Sequence, residues 1–179
     1  KFLAKKKAKV FATDSSENAS VLQNARALRR LGVRVEPGGH GCHSVDGATL
    51  VVTSPGVSKK SLPILLARKN KIPVISEIEL ASYFCKAPIL AITGTNGKTT
   101  SSHLLYQILK GCGRKAVLCG NVGNSFLEAL SQVKKKSCVV LELSSFQLED
   151  CEKFRPKMAL VLNLSPNHLD RHENFKNYR

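Results

Sequence analysis

The sequence predicts an α/β fold in two parts, each built from parallel strands joined by helical crossovers. Three observations carry that expectation. Short apolar runs alternate with segments of helical period along the whole chain. A glycine-rich loop follows one such strand directly and opens a helix. The alternation breaks once, at Lys86-Ala87-Pro88, which puts a boundary between a segment at 1–86 and one at 87–179.

The elements follow in order. Phe2, Leu3 and Ala4 read as part of a helix with no cap and no initiating Met, as in a piece of a longer chain. Val10-Phe11-Ala12-Thr13 is a strand ending at Asp14. Residues 17–31 are helical, with Ala19, Leu22, Ala25, Leu28 and Leu31 in step, and Gly32 stops them. Strands follow at 33–36 and 49–53, the second ending in the turn Ser54-Pro55-Gly56. A helix at 59–70, a strand at 72–75 and a short helix at 77–84 complete the first segment. In the second, Ile89 to Thr93 is a buried strand, and Thr99 to Cys112 is a helix with Leu104, Leu105, Ile108 and Leu109 on its apolar side. A strand at 115–119, a helix near 125–134 and strands at 137–142 and 158–162 follow. The last polar stretch starts a helix it does not finish.

Composition excludes several classes. The 179 residues are 42% hydrophobic, which supports a buried core. No apolar run reaches the ~18–20 residues that span a bilayer, and no signal-peptide core follows the opening lysines. The six cysteines, Cys42, Cys85, Cys112, Cys119, Cys138 and Cys151, form no Cys-x-x-Cys pair, and free thiols in a reducing cytoplasm are expected. His40-Gly41-Cys42-His43 matches no standard zinc spacing and reads as a glycine-rich loop. A net charge of +15 favours anionic partners. A nucleic-acid module would interleave aromatics with those cations, and aromatics are only 6%.

Four motifs carry chemistry, and each follows a strand. Gly94-Thr95-Asn96-Gly97-Lys98-Thr99-Thr100 is a shortened phosphate loop, with Ile92 where the generic pattern has its first glycine. Backbone N–H groups and the helix start would cradle the phosphates of ATP. Lys98 would reach the β- and γ-phosphates, and the Thr99 hydroxyl would ligate Mg²⁺. Glu142 ends the strand at 137–142. It either faces the nucleotide and shares the metal, or simply ends a strand ahead of a capping serine. Asn163-Leu164-Ser165-Pro166-Asn167-His168-Leu169-Asp170-Arg171-His172 offers His168 as an imidazole ligand, with a plain two-histidine loop as the alternative. Gly120-Asn121-Val122-Gly123-Asn124 is a glycine-bounded turn that presents a side-chain amide.

In this order the four motifs resemble the Mur ligases of peptidoglycan synthesis, over essentially the whole chain. Glu142-Leu143-Ser144-Ser145-Phe146-Gln147-Leu148 is the selective one. With Asn163 and the His168-Leu169-Asp170-Arg171 run, it is similar to the members that join D-glutamate to UDP-N-acetylmuramoyl-L-alanine. Sister ligases and folylpolyglutamate synthetases share the phosphate loop but usually not the Ser144-Ser145-Phe146-Gln147-Leu148 run.

The resemblance implies a cytoplasmic bacterial monomer that touches neither nucleic acid nor membrane. It implies a Rossmann-like UDP-binding domain at 1–86, short of its first strand and glycine-rich turn. An incomplete central ATP-binding domain would occupy 87–179, and a C-terminal domain that binds D-glutamate would lie outside. The implied reaction is amide-bond formation: ATP phosphorylates a carboxylate, and an amine displaces phosphate from the acyl phosphate. The implied roles are Gly94 to Thr100 around the nucleotide, with Lys98, Glu142 and His168 catalytic. Thr99 and Glu142 would hold one Mg²⁺, and His168 a second. Asn121 and Ser144 would contact the muramoyl substrate. Asp14, Ser15, Ser54, Pro55 and Gly56 would line the uridine site. Relatives often carry an acidic residue where this chain has Asn167, and a carbamylated lysine would fall just past Arg179. The segment is therefore expected to be inactive alone.

Overall fold

Four parallel strands carry the second half of the molecule, in a computed structural model that describes all 179 residues. The strands are β5 (Ile89–Thr93), β6 (Lys115–Gly120), β7 (Ser137–Glu142) and β8 (Met158–Val161), in the order β6-β7-β5-β8. Ile92 and Gly120 both stand level with Glu142, and Thr93 with Val161. All four strands run the same way, so their C-terminal ends share one edge. The phosphate loop, the Asn121 turn, Glu142 and the Asn163 segment all leave from that edge. Ligands of open parallel sheets bind there.

The apolar face of this sheet explains its stability. Ile89, Ala91, Val117, Cys119, Val139 and Leu141 alternate inward, as strands require, and pack on Ile78, Ala81, Phe126, Ala129 and Phe154. Ile78 and Ala81 come from α4 (Glu77–Phe84), capped by Ser76, whose hydroxyl accepts the Glu79 N–H at 3.1 Å. Phe126 and Ala129 come from α6 (Phe126–Ala129), which runs into a 3-10 turn at Leu130–Gln132.

Two carboxylates of α4, one half-buried and one fully buried, pin other elements. Glu77 Oε1 accepts the Leu127 N–H of α6 at 2.6 Å, and burial raises its pKa. Glu79 is fully buried and accepts N–H groups from Glu152, Lys153 and Phe154, together with the Tyr83 hydroxyl at 2.7 Å. Lys86-Ala87-Pro88 is the turn from α4 into β5, and α4 packs within the same compact unit as the four-stranded sheet.

The opposite face meets α5 (Lys98–Gly111). Here the expected apolar side is only half right. Leu105 and Leu109 are partly covered, whereas Leu104 and Ile108 are 60% and 52% exposed. The inward stripe is Ser102, Leu105 and Leu109, at helical spacing, with Ser102 fully buried.

The other compact unit comprises Lys1–Val51 and Val57–Val74. After α1 (Phe2–Lys5), β1 (Phe11–Asp14) pairs in parallel with β2 (Arg34–Pro37) through the crossover helix α2 (Ala19–Arg29). Asn18 caps α2 by accepting the Val21 N–H at 2.9 Å. A separate two-stranded sheet pairs β3 (Val51–Thr53) with β4 (Val74–Ser76), and α3 (Leu62–Lys69) connects them; Val52, Thr53, Ile75 and Ser76 of these strands are assigned to the unit of the four-stranded sheet. His40-Gly41-Cys42-His43 is loop, as expected: His40 Nδ1 lies 2.8 Å from Thr13 Oγ1, His43 Nδ1 lies 2.8 Å from Asp46, and Cys42 is exposed.

Candidate nucleotide site

The site grows from the junction of β5 and α5. Gly94 has φ +140°, and the chain there passes so close to Leu162 and Asn163 that a Cβ would stand 3.1 Å from Leu162 Cβ. Gly97 takes φ +82° and starts α5 with no side-chain cap. The first N–H to turn back into the helix is that of Ser101, bonded to Gly97 O at 2.9 Å. The N–H groups of Lys98, Thr99 and Thr100 are thus left for an acceptor outside the helix, at its positive end. Lys98 folds over the loop and donates to Gly94 O at 2.7 Å and Thr95 O at 2.9 Å. Its ammonium keeps a third N–H.

Thr95 and Asn96 are used differently from the rest of the loop. Their N–H groups go to Asn163 O at 3.0 Å and Asn163 Oδ1 at 2.9 Å, and Asn163 Nδ2 returns to Asn96 O at 3.0 Å. The Thr95 hydroxyl meets Ser165 and the Tyr178 hydroxyl. These two residues bind the loop to the segment after β8 rather than line its concavity.

Glu142 is fully buried at the end of β7, beside the loop. Its Oε1 accepts from Asn121 Nδ2 at 2.9 Å and lies 3.4 Å from Thr99 Oγ1. Its Oε2 is buried with no partner. A buried carboxylate oxygen left open next to a threonine hydroxyl is the donor set a hard divalent cation prefers, so the residues fit Mg²⁺. The Asn121 turn closes on the same strand end: Asn121 N donates to Glu142 O at 2.9 Å. Gly120, at φ +107°, is needed there because a Cβ would collide with Glu142 O.

Ser144 is an N-cap. With Gln147 it forms a capping box on α7 (Ser145–Leu148), a helix for which the sequence reading offered only the capping serine. Its hydroxyl accepts the Gln147 N–H at 3.4 Å and donates to Gln147 Oε1 at 3.3 Å.

His168 is exposed, in a left-handed conformation at the start of α8 (Leu169–His172), with its ring 4.7 Å from that of Phe146. No group of three or more His, Cys, Asp or Glu side chains that could hold a metal ion converges at it or anywhere else. His172, unremarked in the sequence, is the buried histidine. It stacks on Phe146 at 5.6 Å, and its Nε2 lies 3.0 Å from Ser145 Oγ. Arg171 sits over Phe146 at 4.7 Å and grips Glu149 at 2.8 and 3.2 Å. The second and third motifs therefore meet through Phe146.

The first-segment candidates lie at strand ends. Asp14 closes β1 and accepts the Ser16 N–H at 2.9 Å, and Ser15 is exposed beside it. Ser54, Pro55 and Gly56 form an exposed turn after β3, with Gly56 at φ +91°.

Residues 92–179 match the Mur ligase middle domain. The chain is 44% identical over 178 residues to the UDP-N-acetylmuramoylalanine–D-glutamate ligase of Geotalea daltonii, and 41% identical over 179 residues to that of Thermoanaerobacter pseudethanolicus. These alignments cover 99% and 100% of the chain and 39% of each relative. The chain thus spans about two fifths of the curated relatives it matches.

Among solved structures, the UDP-N-acetylmuramate:L-alanyl-gamma-D-glutamyl-meso-diaminopimelate ligase from Neisseria meningitides has a TM-score of 0.61 at 17% identity, covering 98% of this chain and 59% of that one. The UDP-N-acetylmuramate-alanine ligase from Thermotoga maritima has a TM-score of 0.54 at 23% identity, covering 94% and 39%. These two share its fold.

Proposed function

We propose, for a chain whose residues 92–179 match the Mur ligase middle domain, that it is the nucleotide-binding part of an ATP-dependent ligase. That ligase would join D-glutamate to UDP-N-acetylmuramoyl-L-alanine. The observation that carries the reading is Glu142, buried with one oxygen open beside Thr99 at the foot of the phosphate loop.

The chemistry asks two polyanions to approach within bonding distance. In this reading the first-turn N–H groups of α5 hold the phosphate oxygens, and the Lys98 ammonium exchanges its loop carbonyls for them. Thr99 and Glu142 hold Mg²⁺, which supplies positive charge against the charge that develops as the phosphoryl group passes to the carboxylate. The amine of D-glutamate then attacks the acyl phosphate and phosphate leaves. Asn121 and Ser144 orient the muramoyl substrate from the neighbouring strand ends. His168 supplies a single imidazole toward a second ion. No helix is long and apolar enough to cross a membrane.

Equilibrium titration with ATP, with UDP-N-acetylmuramoyl-L-alanine and with a random oligonucleotide tests this reading. Saturable binding of ATP and of the UDP-sugar is expected. Salt-sensitive binding of the oligonucleotide alone would instead make the +15 charge a nucleic-acid footprint.

A further inference from the structure

Thr95 stands second in the phosphate loop, yet its hydroxyl faces away from the concavity and is fully used. It donates to Ser165 O at 3.2 Å and accepts the Ser165 N–H at 3.0 Å. A hydroxyl has one proton and two lone pairs. The Tyr178 hydroxyl lies 2.9 Å from the same oxygen, and either hydroxyl can be the donor in that contact.

Tyr178 is itself held on two sides. It lies in α9 (Phe175–Tyr178), where Asn174 caps the turn by accepting the Asn177 N–H at 2.9 Å. Its ring meets the His172 ring edge-on at 5.4 Å. His172 in turn contacts Ser145 and stacks on Phe146. A continuous line of contacts thus runs from the Ser145–Phe146 turn through His172 and Tyr178 to Thr95. Thr95 and His172 are buried on this line, at 8% and 7% exposed, while Ser145, Phe146 and Tyr178 are half-buried, so a mismatch at Thr95 itself has little solvent to relax into.

We propose that Tyr178 is a positioning residue for the phosphate loop: its hydroxyl, braced by the His172 ring, fixes Thr95 and so sets the loop in register with the Ser145–Phe146 turn. The proposal rests on the nucleotide reading of the loop. It adds a residue separated from that loop by 83 positions, which touches no phosphate and acts only through Thr95. Losing one hydrogen bond of this kind corresponds to about a three- to tenfold change in an equilibrium constant.

Tyr178→Phe removes the hydroxyl and keeps the ring on His172. Two measurements on the whole 179-residue chain test it: amide hydrogen exchange without ligand, and calorimetric titration with Mg·ADP. Faster exchange confined to the Thr95 and Ser165 amides is expected, by about three- to tenfold, with a comparable loss of ADP affinity. In a double-mutant cycle, Thr95→Val should then cost less in the Tyr178→Phe background than alone. Unchanged exchange overturns the proposal, and so does faster exchange spread evenly over the sheet, which would mean general loosening. Local loosening with unchanged ADP affinity overturns it as well. Failure of the unmodified chain to bind ADP removes the nucleotide reading and this proposal together. Normal binding by both chains removes the proposal alone.

Discussion

Asn121 Nδ2 donates to Glu142 Oε1 at 2.9 Å, while Oε2 of the same carboxylate is buried and meets nothing. Half of a buried carboxylate is satisfied by the protein and half is left open. An unsatisfied buried oxygen of this kind costs about 1–3 kcal/mol. Glu142→Gln, which removes the charge and keeps the shape, should stabilise the ligand-free chain by about 1 kcal/mol. Urea unfolding checks this, and a clear loss of stability would mean that Oε2 has a structural partner.

Lys98 should be the largest single contributor to nucleotide affinity. Its ammonium already lies across the loop, on Gly94 O and Thr95 O. Hydrogen bonds to a charged group are stronger than neutral ones, so Lys98→Ala should weaken ATP binding by about ten- to a hundredfold. Fluorescence titration with a labelled nucleotide reads the difference directly.

Glu79 sets an acid limit on the sheet unit. Burial pushes its carboxyl up, but the Tyr83 hydroxyl and the N–H groups of Phe154, Glu152 and Lys153 together outweigh burial and hold it below its ordinary value of 4.5. A depressed carboxylate contributes stability that is full above the unfolded pKa and is lost as pH falls through the folded one. Glu79→Gln should therefore cost about 2 kcal/mol at pH 7, and the gap to the unmodified chain should close below pH ~4.5. Denaturant melts at pH 7, 5 and 3.5 would show it; a gap that stays constant would deny the carboxylate its role.

The thiols should separate by burial. Burial pushes Cys119 up to about 12, whereas Cys42 and Cys112 are exposed. Iodoacetamide at pH 8 should modify Cys42 and Cys112 in the folded chain and Cys119 only after unfolding, because the thiolate is the reacting species. Peptide mass spectrometry after timed quenching reads each site separately. Rapid native labelling of Cys119 would mean that the sheet opens.

The strands of the four-stranded sheet and the loop between β5 and α5 were legible because their signals are local: apolar runs, glycines and spacing. The helix at Ser145–Leu148 carried a local signal too, the Ser144-x-x-Gln147 capping box, but the apolar run before it masked the cue. The wrong choice of inward stripe on α5 had another cause. Leu104-Leu105 and Ile108-Leu109 are adjacent pairs, so periodicity alone cannot say which member of each faces β7, and the small Ser102 decides it. The brace from Tyr178 to Thr95 and the nest around Glu79 join residues more than seventy positions apart. Nothing in either local sequence announces its partner. His172 illustrates the same limit: the sequence assigned it no role beside His168, and folding makes it the buried histidine.

The most direct test of the account is whether Glu142 links nucleotide to metal. ADP can be titrated into the unmodified chain and into Glu142→Gln by calorimetry, each with Mg²⁺ and with chelator. The account predicts that Mg²⁺ tightens ADP binding to the unmodified chain by about tenfold or more and adds nothing to the variant. Equal tightening of both would contradict it, and would place the metal elsewhere than between Thr99 and Glu142.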